Sequence, residues 1–398
     1  MSGVADAVVI GAGVMGASIA YHLAKAGVRK VVVVEKRFKA AGATGKSSGL
    51  VRMHYDNEPE CRLVWVSFAY FRNWSEVVGG DCGFRRTGFL RIVPRELADR
   101  LRANVAMQQR IGIQTEVISA EEVARLVPSM CTDDFDIAAY EPNSGYADPT
   151  TTATAFLERA QEMGVCLLQE TTVTGIRTQA GRVSRVVTER GMITTPIVVN
   201  AAGAWGARIG AMVGVQLPIQ GWRHQVVYLQ RPPELAEPHP AMIDDITAQY
   251  FRPETGQLTL VGLEDGNEVG VEPDSYREGM DVEFVPTVAQ RICRRIPAMS
   301  GAGVVSGQAG CDGLTPDQRA IMDQAGPEGF YMAVGFSGTG FKISPAVGAG
   351  MAELITKGAA ETVDITPFRL SRYAEGKPLV GKHPYGGIWK DEAAGKPG

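Results

Sequence analysis

The sequence is poor in histidine, with five, and its six cysteines, Cys61, Cys82, Cys131, Cys166, Cys293 and Cys311, include no CxxC pair. Zinc sites and disulfide frameworks need clustered ligands or paired spacings, so no metal is expected and the cysteines read as reduced core or half-buried residues. No apolar run approaches the roughly 20 residues that a membrane helix needs. The first six residues carry no cationic start, and the apolar run Ala7–Ile10 is too short for a secretory signal, so a soluble, cytoplasmic protein is the expectation. Excess positive charge is missing as well. Forty Lys+Arg stand against 44 Asp+Glu, with both signs dispersed, which leaves nucleic-acid binding without electrostatic support. There is no internal repeat and no low-complexity tract.

What is present is core and glycine. The 398 residues are 45% hydrophobic, enough for two or three structural units. The first 35 residues read as a βαβ unit: strand Ala7–Ile10, a small-residue helix over Val14–Ala26, and strand Val31–Val34. Strands are expected near Phe84–Val93, Ile113–Val117, Val165–Gln169, Arg182–Thr188, Ile197–Asn200 and Phe330–Val334, with a β-rich region over Gln225–Val261. Helices are expected over Arg95–Arg110, Asp148–Gly164, Pro286–Arg295 and Ser344–Lys357. After Tyr373 the chain turns polar and rich in Gly and Pro, which predicts an irregular tail with a mobile end.

Three glycine-bearing motifs carry chemistry. In Gly11-Ala12-Gly13-Val14-Met15-Gly16, Gly11 permits the tight turn, Gly13 lets the backbone approach a pyrophosphate, and Gly16 lets helix and strand pack closely. The unpaired N–H groups at the helix start favour phosphate charge. Glu35, ending the second strand, is placed to accept from ribose hydroxyls, and Lys36 follows it. This motif indicates a dinucleotide without separating NAD from FAD. The second motif, Val198–Trp205, is a strand running into a turn with Ala202, Gly203 and Trp205, a return contact far along the chain that an extended FAD needs. In the third, Gly335–Lys342, Gly338, Gly340 and Phe341 allow close approach to a flat ring. Ser344 reads as the N-cap of the following helix and Pro345 as its first residue.

In this order and spacing the motifs resemble the D-amino-acid oxidase superfamily of FAD-dependent amine oxidoreductases, on its sarcosine oxidase and glycine oxidase branch. Further matches are Gly42-Ala43-Thr44 through Arg52-Met53-His54-Tyr55, Tyr250-Phe251-Arg252-Pro253, and Asp312 through Asp317. The resemblance implies an α/β (α+β) fold. A discontinuous Rossmann-like FAD domain (1–84, 143–217 and 306–372) would join a substrate domain with an antiparallel sheet (85–142 and 218–305), and 373–398 would form the tail. It implies that the loop with Thr44, Ser47, Gly49 and Leu50 passes over the flavin and that Val173 offers its backbone to the adenine. Arg52 and Lys342 would hold a substrate carboxylate, with Tyr250 donating to it. His54 is a candidate base, although the family requires none.

Two departures matter. Monomeric sarcosine oxidases tether their flavin through a cysteine seven residues before the Thr-Pro-Asp aspartate. Here that register falls on Gly310, with Cys311 one place off, so noncovalent FAD is expected. The lysine that assists oxygen activation should fall near Leu258–Val261, where there is none. The implied reaction is oxidation of the C–N bond of a small or N-substituted amino acid, such as sarcosine or glycine, by hydride transfer to flavin N5, giving an imine that hydrolyses. Oxygen or another electron acceptor would complete turnover, an oxidase being the first expectation. Alternatives are removal of an N-carboxymethyl group from a larger amine, a proline or dimethylglycine dehydrogenase, and a flavoprotein subunit inactive without hetero-oligomeric partners. An NAD dehydrogenase is the competing cofactor class.

Overall fold

In the computed structural model, residues 2–235 and 237–385 are described. The four-valine strand Val31–Val34 and the apolar Ala7–Ile10 are buried, as β-branched runs in parallel sheets are. They sit inside a six-stranded sheet in the order Cys166–Leu168, Val31–Val34, Ala7–Ile10, Val198–Asn200, Phe330–Val334, Ile321–Gln324. All its neighbours are parallel except the last pair.

Helices Val14–Lys25, Pro149–Glu162 and Ser344–Lys357 cover one face. Small residues let them approach: a Cβ on Gly348 would stand 2.1 Å from Ser18 Oγ, which donates to the Ser344 carbonyl at 2.8 Å. The other face packs on a four-stranded sheet of Ser2–Val4, Gly191–Thr194, Arg182–Thr188 and Val173–Gln179. Sequence reading anticipated only Arg182–Thr188 of these strands. Val173–Gln179 and Gly191–Thr194 are largely exposed and lack a strong apolar signal, and Ser2–Val4 is only three residues long.

The second large sheet has nine strands. Its order is Glu268–Val269, Gln220–Gln230, Leu258–Leu263, Gln249–Glu254, Ala241–Asp244, Phe89–Ile92, Ile137–Glu141, Glu116–Ser119, with Gly303–Leu314 also pairing along Gln220–Gln230. Alternation gives it two characters. Val227, Val261, Phe251, Met242 and Leu90 face helix Phe284–Arg295 and form an apolar core with Val288 and Ile292. The opposite face presents the register-matched row Val226, Gly262, Tyr250, Ile243 and Arg91.

Several boundaries differ from expectation. The strand expected over Phe84–Val93 breaks into Arg85–Arg86 and Phe89–Ile92 because Gly88 turns with φ +78. The expected Ile113–Val117 strand lies at Glu116–Ser119. Ser344 is not an N-cap. The 3-10 turn Phe341–Ile343 runs directly into helix Ser344–Lys357, so Ser344 is already helical (φ -56), makes no capping bond, and Pro345 follows inside the first turn. The helical segment therefore begins near Gly340.

Residues 374–385 form no helix or strand but are anchored to the body. Leu379 N donates to Asp317 Oδ2 at 3.0 Å, and the His383 and Pro384 carbonyls accept from Asn104 and Arg100. The mobile end expected at the terminus lies outside the described residues. No described helix is long and apolar enough to cross a membrane.

Candidate active site

One continuous cavity of about 1730 Å³ runs between the two large sheets. At one end the Gly-rich turn is locked by sterics. Gly11 has φ +106, and a Cβ there would lie 2.5 Å from the Ala201 carbonyl oxygen, while one on Gly16 would lie 1.9 Å from the Gly11 oxygen. Glu35 takes its position from that turn: Oε2 accepts from Ala12 N at 2.9 Å and Oε1 from Arg37 N at 2.8 Å. Thr44 Oγ1 accepts from Val14 N at 3.0 Å, satisfying a donor at the helix start.

Glu35, Lys36 and Val173 line this end, with Gly11, Gly13, Val14 and Met15 beside them. Thr44, Ser47 and Leu50 come from the next loop, Ala202, Gly203 and Trp205 from the second motif, and Gly338, Gly340, Phe341 and Lys342 from the third. Three expected residues do not line it. Gly16 serves the helix–turn contact. Gly49, at φ +67, turns the loop onto Ala147, whose carbonyl oxygen would lie 2.2 Å from its Cβ. Gly310 packs on Lys46, 2.8 Å from a Cβ placed there.

Across the cofactor end lies an acidic segment not foreseen from sequence. Asp274 accepts from Lys36, from Trp205 Nε1 at 2.8 Å and from Arg208, and these contacts hold its carboxyl well below the usual range against burial. Glu278 accepts from Arg37 at 2.8 Å and pairs with Lys46 at 3.2 Å.

The other end gathers the basic residues. Arg52 follows strand Leu50–Val51. Its guanidinium lies over the rings of Tyr55 (4.5 Å) and Phe89 (5.7 Å) and donates to the His54 carbonyl, while its buried Nε has no partner among the described residues. Lys342 Nζ donates to the Thr339 carbonyl at 3.4 Å and lies over the Tyr55 ring at 5.7 Å. Burial first, and the charge of Arg52 next, push the Lys342 ammonium far below its usual range. Among the described residues no carboxylate lies within ion-pair distance of either. Tyr250 lies on the cavity row, its ring over Gly262, where a Cβ would stand 2.2 Å from the ring. Burial, and then Glu264, raise its phenol, so it stays protonated as a donor. His54 Nε2 meets Tyr385 Oη at 2.5 Å. Burial, then Arg91 and Arg52, hold its imidazole well below the usual value, so it is neutral.

Further lining groups escaped the sequence reading. Arg91 pairs with Asp245 at 2.7 Å, Glu264 faces the cavity, and Trp222 stacks on His224 at 4.7 Å. Asp312 Oδ2 accepts from Gly338 N at 2.7 Å and so positions the third glycine loop. Cys311, beside it, is buried and absent from the lining. Alternate strand residues point to opposite faces, and Cys311 Sγ sits 3.3 Å from a Cβ placed on Gly221. Burial pushes its thiol up to about 12.

The sequence model of the family described as FAD dependent oxidoreductase matches residues 6–354. The chain belongs to that family. This FAD-dependent oxidoreductase is 30% identical over 383 residues to mitochondrial sarcosine dehydrogenase of Mus musculus, an alignment covering 93% of the chain but 41% of that protein. The chain thus spans less than half the length of that relative. It is 30% identical over 419 residues to FAD-dependent oxidoreductase domain-containing protein 1 of Bos taurus, covering 94% of the chain and 85% of that protein. Among solved structures, L-proline dehydrogenase from P. horikoshii superposes with a TM-score of 0.88 at 30% identity, covering 95% of this chain and 100% of that one. The cavity fits FAD. It runs from the Glu35 carboxylate past the N–H groups at the start of helix Val14–Lys25 to the Gly338–Gly340 loop at its other end.

Proposed function

We propose that this FAD-dependent oxidoreductase oxidises the C–N bond of a small secondary amino acid, of the sarcosine or proline type, and passes the electrons to an acceptor other than oxygen. The observation that carries this reading is the pair of buried basic side chains, Arg52 and Lys342, lining the cavity with no carboxylate among the described residues in ion-pair distance. A substrate carboxylate supplies the missing charge. The guanidinium binds it through directed N–H bonds, the lysine is recharged beside it, and the Tyr250 hydroxyl donates a third bond. Bound FAD supplies the two-electron acceptor. The chain's residues hold the substrate by its carboxylate, fix its orientation, and exclude water between the Tyr250 sheet face and the Gly338–Lys342 loop.

A secondary amino acid is favoured because relatives at 30% identity are named for sarcosine and for L-proline. Those names are also dehydrogenases, and strand Leu258–Leu263 carries no lysine. This reading therefore puts a dehydrogenase ahead of the oxidase first expected. We also assign the discontinuous division into FAD and substrate domains to this chain, and noncovalent FAD, because Cys311 faces away from the cavity.

Anaerobic titration of the purified yellow protein with sarcosine, proline, glycine and N-substituted glycines tests it. Bleaching by secondary amino acids, followed by reoxidation faster with an artificial acceptor than with air, is the expected result. No bleaching by any amino acid sinks the reading. Flavin that stays with acid-precipitated protein, and is lost from it in Cys311→Ala, sinks the noncovalent assignment.

A further inference from the structure

The row of cavity-facing residues on the large sheet continues past Gly262. Glu264 N donates to the Ala248 carbonyl at 2.9 Å, which extends the ladder pairing Tyr250 with Gly262 and carries Glu264 to the same face two residues on. Its carboxyl lines the cavity. No hydrogen bond or ion pair to another described residue satisfies it, whereas its neighbour Asp245 is neutralised by Arg91 at 2.7 Å. The same cavity holds two basic side chains that no described carboxylate pairs, each at least nine-tenths buried: Arg52 is 9% exposed and Lys342 5%. The cavity thus offers basic groups that no described carboxylate pairs and a carboxyl that no described cation pairs. A zwitterion is the ligand that satisfies both.

We propose that Glu264 receives the ammonium group of the amino acid substrate and accepts its proton before oxidation. An amino acid reaches the enzyme as an ammonium, which has no lone pair to support oxidation of its C–N bond. One N–H bond breaks, the proton moves to a Glu264 carboxylate oxygen, and the electron pair stays on nitrogen. Positive charge then remains only at the carboxylate-binding end. This inference rests on the amino acid reading above and adds the group that handles its nitrogen.

The surroundings tune Glu264 for that role. Burial, and then the Asp245 carboxylate, push its carboxyl up to about 8. Arg91, three strands away across the same sheet, Arg52 and Asp244 complete its charged environment, and the protonated Tyr250 flanks it. A carboxyl with an ordinary value would be too weak a base, and one titrating near the working pH both accepts and releases the proton.

The test is the pH profile of kcat/KM for the best amino acid, in wild type, Glu264→Gln and Glu264→Asp. Ligand binding is read from the flavin spectrum with methoxyacetate, a carboxylate that has no amine. Wild type should lose activity about tenfold per pH unit below about 8 and level off above it. Glu264→Gln should lower kcat/KM roughly 100-fold near pH 8 and remove that limb, leaving only the rise set by the substrate's own amine. Glu264→Asp should keep the limb at a shifted position, and methoxyacetate should bind all three alike.

An unchanged profile in Glu264→Gln overturns the inference while leaving the amino acid reading standing. Loss of methoxyacetate binding in parallel with activity also overturns it, since Glu264 would then merely shape the site. If Glu264→Gln does not fold, a Glu264→Asp profile identical to wild type overturns it equally. Wild type that is reduced by no amino acid brings down the underlying reading, and this inference with it.

Discussion

The two ends of the cavity are built on opposite rules. At the cofactor end the polar groups singled out are already partnered within the chain: Glu35 by Ala12 and Arg37 N–H groups, Thr44 by Val14, Asp274 by Lys36, Trp205 and Arg208. At the other end Arg52 Nε is buried without a partner among the described residues, and Glu264 and Lys342 carry displaced pKa values. An unsatisfied buried polar group costs about 1–3 kcal/mol, so such a set persists where a ligand repays it. One end is a finished scaffold that recognises its ligand by shape and backbone. The other is held in an incomplete electrostatic state that, on the proposed reading, a charged substrate completes.

The sharpest way to break the comparison is to damage the scaffold. Gly16→Val puts a branched side chain where even a Cβ would lie 1.9 Å from the Gly11 oxygen, against backbone that cannot yield without opening the turn. Overpacking of this severity costs at least about 1–3 kcal/mol, and the affected turn is the cofactor site itself. The variant should yield little soluble protein and no bound flavin. A yellow, normally melting Gly16→Val protein would show that the cofactor end is more plastic than its contacts indicate.

Removing a cation at the substrate end should do the reverse, leaving flavin bound while weakening substrate. Arg52→Ala or Lys342→Ala is expected to raise KM roughly 30- to 1,000-fold, the effect of about 2–4 kcal/mol for a charge-assisted contact to a desolvated carboxylate. The pH behaviour sharpens this. Lys342 is depressed when the site is empty and rises when a carboxylate binds, so binding takes up a proton at pH values between the free and bound pKa. Affinity for a simple carboxylate such as methoxyacetate therefore falls as pH climbs through that window, and Lys342→Met should abolish the slope. Calorimetry in buffers of different ionisation enthalpy reads the proton directly. Binding without proton uptake would mean that Lys342 is already charged in the empty site.

The same contrast explains what could be read from sequence. Gly11, Gly13 and Glu35 belong to one contiguous βαβ unit, where a local pattern dictates local geometry, and the return turn at Ala202 and Gly203 carries the same kind of signal. Arg52, Lys342 and Tyr250 became legible only through the family resemblance. Arg91, Asp245 and Glu264 were not legible. They come from separate strands, and only the register that sets Tyr250 opposite Gly262 turns them toward one cavity. Tyr385 was hidden for another reason. A Gly- and Pro-rich tail predicts irregular backbone correctly, but composition says nothing about docking onto His54, 331 residues away in sequence. Ser344 failed because a serine before a proline is a good cap only when no helical turn precedes it.

The smallest effect expected lies at the seam between the two regimes, in the acidic segment around Asp274. Its residues lie between strands Glu268–Val269 and Gly303–Leu314 of the nine-stranded sheet, yet its partners Lys36, Trp205 and Arg208 line the cofactor end, so it straps one onto the other. Asp274 is about half exposed, with 49% of its side chain accessible, and exposed ion pairs contribute only about 0.2–1 kcal/mol each. Asp274→Asn keeps the shape and the Trp205 bond while removing the charge that Lys36 and Arg208 share. Release of FAD into excess apoprotein of a scavenging flavoprotein should then speed up by about 2- to 10-fold, with kcat little changed. Salt separates this role from simple packing. Screening should accelerate FAD release from wild type, and the variant, which has lost that attraction already, should respond less. Equal salt dependence in both proteins would remove the strap from the account of cofactor retention, leaving shape and backbone contacts to hold FAD alone.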